Sequence, residues 1–140
     1  NQVGTRIPAM PDSWTSWMPS GMPRTPALEL AFRRFAAAVV HLDYGFGRLL
    51  DGLDSLGLRD NTLVVFTTDH GMSGPRGKGC LYGLGTEIAL MMRWPGVLKA
   101  GSVDNAPRSN IGFRATFAAA AGVSLQGLCQ GESFWDSVLS

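Results

Sequence analysis

Nine apolar residues, Leu28, Phe32, Phe35, Val39, Leu42, Phe46, Leu49, Leu53 and Leu56, recur at intervals that alternate four and three without a break. Such spacing returns to one face of a 3.6-residue helix, so the segment reads as one helix of about eight turns with a buried stripe. The chain also marks its ends. Thr25 is placed to cap, Pro26 suits the first helical position, Glu29 favours the positive first turn, and Gly57 is a natural stop. Gly45, Gly47 and Gly52 each cost about 1 kcal/mol relative to alanine and leave room for a bend or a close approach. One strand of a coiled coil would show the same stripe. An apolar run follows at once, however, and favours packing against a sheet.

That run, Leu63-Val64-Val65-Phe66, is continuous rather than alternating, which suits a strand covered on both faces. A second candidate strand spans residues 88–94 and is closed by Pro95-Gly96. Residues 109–121 read as a further helix, with Ser109 as a cap and Gly122 beyond its end, and the tail from Ser124 is mixed. Helix, strand, loop, strand, helix is an α/β order. Two strands do not make an open sheet alone, so further strands are expected outside these 140 residues. Residues 1–24 hold Pro8, Pro11, Pro19 and Pro23 around Trp14 and Trp17, which forbids a long helix or central strand. The expected division is an irregular segment 1–24 followed by a structured part, 25–140.

A net charge of +1 with scattered arginines lacks the basic field that nucleic-acid binding needs, so no nucleic-acid partner is expected. No apolar run reaches the length of about 18 residues needed to span a membrane. Cys80 and Cys129 lie in no Cys-x-x-Cys pair and beside no histidine. Two free thiols are expected rather than a disulfide, which an oxidising compartment and suitable geometry would allow.

The stretch with the most chemistry is VVFTTDHGMSGPRGKG, residues 64–79, where the first strand runs into a glycine-rich loop carrying Asp69, His70, Arg76 and Lys78. A Walker phosphate loop fails on spacing. Met72 stands where the leading glycine belongs, and Lys78 is followed by Gly79 rather than Ser or Thr. A solvated turn with incidental charges explains the glycine, proline and serine content. The third reading uses every polar residue: Asp69 as a hard oxygen ligand for a divalent cation, His70 as a nitrogen ligand or anion donor, and Lys78 as a counter-charge for an oxyanion. Two protein ligands are half a shell, so the remainder must come from elsewhere.

Asn61-Thr62-Leu63-Val64-Val65-Phe66-Thr67-Thr68-Asp69-His70-Gly71 resembles the late metal-binding motif of sulfatases, in the alkaline phosphatase superfamily. His41-Leu42-Asp43 through Gly57-Leu58-Arg59-Asp60 looks like the helix that enters this strand. Lys78 to Tyr82 and Met92-Arg93-Trp94-Pro95-Gly96 look like the lysine loop and the strand after it. Ser109-Asn110-Ile111 with Thr116 and Gly122-Val123 resembles the next helix. The likeness covers residues 27–134 and is nearest to bacterial sulfatases similar to heparan N-sulfatase (sulfamidase), because of the short Pro-Arg-Gly-Lys loop.

The resemblance implies a fragment of an alkaline-phosphatase-like α/β/α sandwich, the C-terminal portion of a sulfatase catalytic domain. It implies a sulfuric ester or sulfamate hydrolase acting on a small-molecule or glycan sulfate. Asp69 and His70 would contact a divalent metal, calcium in most of the family, and Lys78 would bind the sulfate as the catalytic cation. Asp43 is expected as a structural hydrogen-bonding residue and His41 as a packing or surface one. No family role passes to Arg76.

The family's formylglycine arises from Cys or Ser in a Cys/Ser-x-Pro-x-Arg motif, which neither cysteine matches; Ser20-Gly21-Met22-Pro23-Arg24 has its proline one place late. The formylglycine and the early aspartates are therefore expected upstream of Asn1, and the 140 residues alone are expected to be inactive. Gly112 and Ala115 replace the usual aspartate and proline of the last helix. A periplasmic or extracellular location is the family expectation, and the oligomeric state is open. The alternatives are a phosphodiester or phosphonate hydrolase of the same superfamily and a non-catalytic anion-binding remnant.

Overall fold

A computed structural model describes residues 9, 12–14, 18 and 20–140. The chain divides into two compact units, residues 1–58 and residues 59–140.

The first unit holds a 3-10 turn, Asp12–Trp14, and a 30-residue helix, α1 (Pro26–Ser55). Of the proline- and tryptophan-rich segment, Pro8, Pro11, Trp17 and Pro19 lie outside the described residues. Helix α1 starts and stops where its sequence says. The Thr25 hydroxyl accepts the Leu28 N–H at 3.3 Å, and Pro26 opens the first turn. At the other end Leu58 N–H reaches the Leu53 carbonyl at 2.9 Å and Gly57 N–H reaches that of Asp54 at 3.1 Å. This is a Schellman closure. It needs a left-handed residue between the two bonds, and Gly57 supplies it with φ 69°. The stripe keeps its helical spacing but is only partly covered. Phe32 and Ala36 are buried, whereas Leu42, Leu49 and Leu56 are more than half exposed.

The second unit carries β1 (Val64–Thr67), α2 (Gly83–Thr86), β2 (Leu90–Arg93), α3 (Phe113–Ala120) and α4 (Trp135–Leu139). The strands pair antiparallel, Val64 opposite Arg93 and Thr67 opposite Leu90, with 3-10 turns at Arg59–Asn61 and Asn110–Gly112. Val64, Val65 and Phe66 are half-buried rather than enclosed, because the described residues add no third strand to this ribbon. Apolar composition sets what a strand is able to bury, and the neighbours present set how much it does bury. The Trp94 indole N–H donates to the Asp60 carbonyl at 2.9 Å, which ties the end of β2 to the approach to β1.

The core of this unit lies where α3 meets the tail. Thr116 is fully buried, and Phe134 and Trp135 are nearly so. The Phe134 ring meets Phe113 edge-on at 5.9 Å, and Trp135 faces Trp94 at 6.0 Å, both in the range of favourable aromatic pairs. The expected helix 109–121 is split. A 3-10 turn covers its first residues, and Ser109 sits at the cap position without a side-chain capping bond; its carbonyl takes Gly112 N–H at 2.9 Å instead. Gly112 at this junction has a packing reason. A Cβ there would stand 2.7 Å from the Glu132 carbonyl oxygen and 3.4 Å from the Phe134 ring, so any larger side chain at this position would displace the tail.

Candidate functional site

Strand β1 delivers Asp69 and His70 two and three residues past Thr67, on the turn that leaves the ribbon. The ribbon's pairing continues just beyond the strands, with Thr68 N–H on the Ala89 carbonyl and Ala89 N–H on the Thr68 hydroxyl, both at 3.3 Å. Asp69 therefore stands on the first residue that the ladder releases. Its carboxylate accepts the His70 N–H at 3.0 Å, and its carbonyl lies 3.4 Å from the Asn110 amide nitrogen.

His70 has one ring nitrogen committed. Nδ1 lies 2.7 Å from the Gly71 carbonyl oxygen, which only accepts, so Nδ1 carries the proton and Nε2 keeps its lone pair in the neutral ring. Nε2 is 3.5 Å from Asp69 Oδ2. The spacing matches two adjacent donors around one cation, which lie about 1.4 bond lengths apart for bonds of about 2.4 Å. The Asp69 side chain is 86% exposed and that of His70 35%, so the pair is open to a cation and to further ligands. A carboxylate oxygen beside an imidazole nitrogen, with the other ring nitrogen held by a carbonyl, is a donor set that fits a divalent metal. Among the described residues no group of three or more His, Cys, Asp or Glu side chains gathers around one point, so these residues bring together two candidate donors rather than a whole shell.

Close backbone contacts shape the loop after His70. Gly71 N–H donates to the Gly85 carbonyl at 3.2 Å, and Lys78 N–H returns to the Met72 carbonyl at 3.0 Å. That second bond brings the Lys78 backbone beside a residue only two places after His70. Gly77 is buried, and a Cβ there would overlap the Met72 carbonyl oxygen; one at Gly85 would overlap the carbonyl oxygens of Cys80 and Gly77. The two glycines let the loop fold onto itself, while Arg76 and Lys78, on either side of Gly77, remain exposed. Among the described residues neither cation is paired with a carboxylate. Arg76 has a left-handed backbone, φ 59°, and its guanidinium lies over the Tyr82 ring, 5.3 Å from the centroid.

The sequence thus places Asp69, His70 and Lys78 on one hydrogen-bonded loop. It misses Asn110, Tyr82 and the short helix α2. Asn110 is 41 positions from Asp69, so nothing local signals its approach. Four residues of α2, two of them glycine, are too few to show a period. His41 and Asp43 are exposed on α1. Cys80 and Cys129 are free thiols, Cys80 exposed and two places beyond Lys78.

A second polar cluster lies between the loop before α3 and helix α4. Asp104 accepts from Arg108 and from Ser137 on the same oxygen, Oδ2, and its Oδ1 takes the Ala106 N–H at 2.9 Å. The Arg108 hydrogen bond, followed by that of Ala106, holds the Asp104 carboxyl down at about 2 from an ordinary 3.8. Arg108 also covers the Phe134 ring at 5.5 Å, so the cluster clamps the tail rather than forming a catalytic group.

The model of the sulfatase family matches residues 11–123. The chain belongs to the sulfatase family. Among its relatives, an N-acetylglucosamine-6-O-sulfatase of Bacteroides thetaiotaomicron is 37% identical over 105 residues, covering 72% of this sulfatase chain and 19% of that protein. A steryl-sulfatase of Mus musculus is 36% identical over 110 residues, 66% of this chain and 18% of that one. A human N-sulphoglucosamine sulphohydrolase is 35% identical over 78 residues, 56% and 16% of the two chains. A solved structure in complex with its substrate, D-glucosamine-2-N,6-O-disulfate, superposes with a TM-score of 0.74 at 32% identity, covering 84% of this chain and 26% of that one. This sulfatase chain spans about a fifth of the length of the relatives it matches. Among the described residues no helix is long and apolar enough to cross a membrane.

Proposed function

We propose that these residues are the C-terminal portion of a sulfatase catalytic domain, and that they supply one side of its active site: Asp69 and His70 as metal ligands and Lys78 as the cation on the sulfate. The observation that carries this reading is the pairing of Asp69 Oδ2 with a His70 Nε2 whose lone pair is kept free by the Nδ1 bond to Gly71.

A bound divalent metal, calcium by family precedent, would neutralise charge on the sulfuryl oxygens and orient the attacking group. The chain's own residues position and hold. The ladder end holds the Asp69 backbone, the Gly71 carbonyl holds the imidazole, and the Met72 carbonyl holds the Lys78 backbone, so the loop that carries all three side chains is set before substrate arrives. The Lys78 ammonium, free of any carboxylate among the described residues, is available to an oxygen of the sulfate and stabilises its charge during transfer. The nucleophile and the remaining ligands belong to the part of the relatives that these residues do not cover. The substrate class we favour is a sulfated amino sugar, since the bacterial relative and the solved neighbour are both named for one.

The test is hydrolysis by the complete domain of glucosamine 6-O-sulfate set against a phosphodiester, before and after chelation. Sulfate release that a chelator abolishes and calcium restores is the expected result. Preference for the phosphodiester, or turnover indifferent to chelation, would overturn the reading.

A further inference from the structure

We propose that Arg76 is a specificity-determining residue of this site, taking a second oxyanion carried by the sugar while Lys78 takes the sulfate that is removed. The inference rests on the sulfatase reading above and adds to it the number of negative groups the substrate bears.

Arginine is uncommon at positive φ, because the Cβ crowds the backbone there, and such residues persist where their surroundings hold them and gather at ligand sites. Arg76 is held twice. Its backbone, at φ 59°, sits between Pro75 and the buried Gly77, whose own position is fixed by Gly74 and by Gly85. Its guanidinium rests over the Tyr82 ring at 5.3 Å, within the range of a cation–π contact. Tyr82 is itself anchored, since its carbonyl accepts Gly85 N–H at 2.8 Å and Thr86 N–H at 3.0 Å. A flexible surface arginine needs none of this.

Two consequences follow from the placement. A guanidinium held over a ring by its cationic face keeps its N–H groups for other partners, and that planar fork matches the geometry of sulfate or carboxylate. Arg76 and Lys78 also flank one buried glycine, so the loop that carries Asp69 and His70 sets two exposed cations two residues apart, neither of which meets a carboxylate among the described residues. The second cation gives the loop a preference for a substrate with two anionic groups, either a second sulfate or a uronate carboxylate on the same glycan.

The experiment compares steady-state turnover of glucosamine 2-N,6-O-disulfate, glucosamine 6-O-sulfate and a 6-O-sulfated uronyl disaccharide by the complete, calcium-loaded sulfatase and by its Arg76→Gly, Arg76→Lys and Tyr82→Leu forms. Arg76→Gly removes the charge while keeping the left-handed backbone comfortable, so it isolates recognition from folding. The expected result is a parent whose KM favours a dianionic substrate, and an Arg76→Gly form in which that preference falls about tenfold, the worth of one charge-assisted contact, with Tm unchanged. Arg76→Lys recovers part of it, and Tyr82→Leu loses part. Loss confined to the disulfate identifies a second sulfate, and loss confined to the disaccharide identifies a carboxylate. Equal KM ratios in parent and Arg76→Gly would overturn the proposal while leaving sulfate hydrolysis intact. A parent that releases no sulfate from any of the three would overturn the sulfatase reading and this one with it.

Discussion

The backbone N–H of Phe134 donates to the hydroxyl of Thr116 at 3.1 Å, across eighteen positions of chain, and the same hydroxyl donates to the Gly112 carbonyl at 2.8 Å. One fully buried oxygen therefore ties the tail to the first turn of α3. Thr116→Val keeps the shape and removes both bonds, leaving a buried N–H unsatisfied, and costs about 1–3 kcal/mol by urea denaturation. Thr116→Ser keeps the hydroxyl and costs less. Equal loss in the two variants would mean that packing, not the hydrogen bonds, holds the tail.

Two glycine-to-alanine changes of opposite sign separate the loop from the helix. In α1 a Cβ at Gly52 meets nothing within 4 Å, so Gly52→Ala stabilises by about 0.5–1 kcal/mol through the backbone entropy of the unfolded chain. In the loop a Cβ at Gly77 runs into the Met72 carbonyl, and Gly77→Ala destabilises by about 1–3 kcal/mol, as overpacking does. Thermal melts of the two variants, read against the parent, give the signs.

Stability falls on the acid side through Asp104. Its carboxyl is held at about 2 in the folded chain and titrates near 3.8 when unfolded, so its contribution is fully present above about pH 4 and is lost as pH drops through 2. Asp104→Asn removes the charged partner of Arg108 and Ser137. Its denaturation midpoint should lie below the parent's at pH 6, with the gap closing between pH 4 and pH 2. A gap that is constant with pH would assign the effect to shape alone.

Metal binding should report the Asp69–His70 pair directly. Asp69→Asn replaces the charged oxygen with a neutral one while keeping the side chain's size, and lowers the calcium affinity of the complete domain at least about tenfold by calorimetry. His70→Ala lowers it less, since nitrogen is the softer donor for a hard cation. Unchanged affinity in Asp69→Asn would remove the carboxylate from the shell.

Local chemistry was legible in the sequence, and distant packing was not. Helix α1 follows its text from the Thr25 cap to the Gly57 closure, because caps and stops act within four residues. The strands fall within two residues of their apolar runs. The antiparallel register, the incomplete cover on Val64 to Phe66 and the 3-10 start ahead of α3 depend on partners that no local pattern names. At the site the split is the same. Asp69, His70 and Lys78 stand out as a motif, whereas the Gly71 carbonyl that sets the imidazole tautomer, the Tyr82 ring under Arg76 and the reach of Asn110 are tertiary facts.

The central claim is that Lys78 holds the sulfate beside the Asp69–His70 corner. It is tested most directly by sulfate release from a sulfated glucosamine by the complete domain and its Lys78→Ala form, each with its Tm. A fall in kcat/KM of about a hundredfold or more at unchanged Tm is the predicted result, the scale of losing one preorganised charge on a reacting oxyanion. Equal turnover in the two proteins would contradict it.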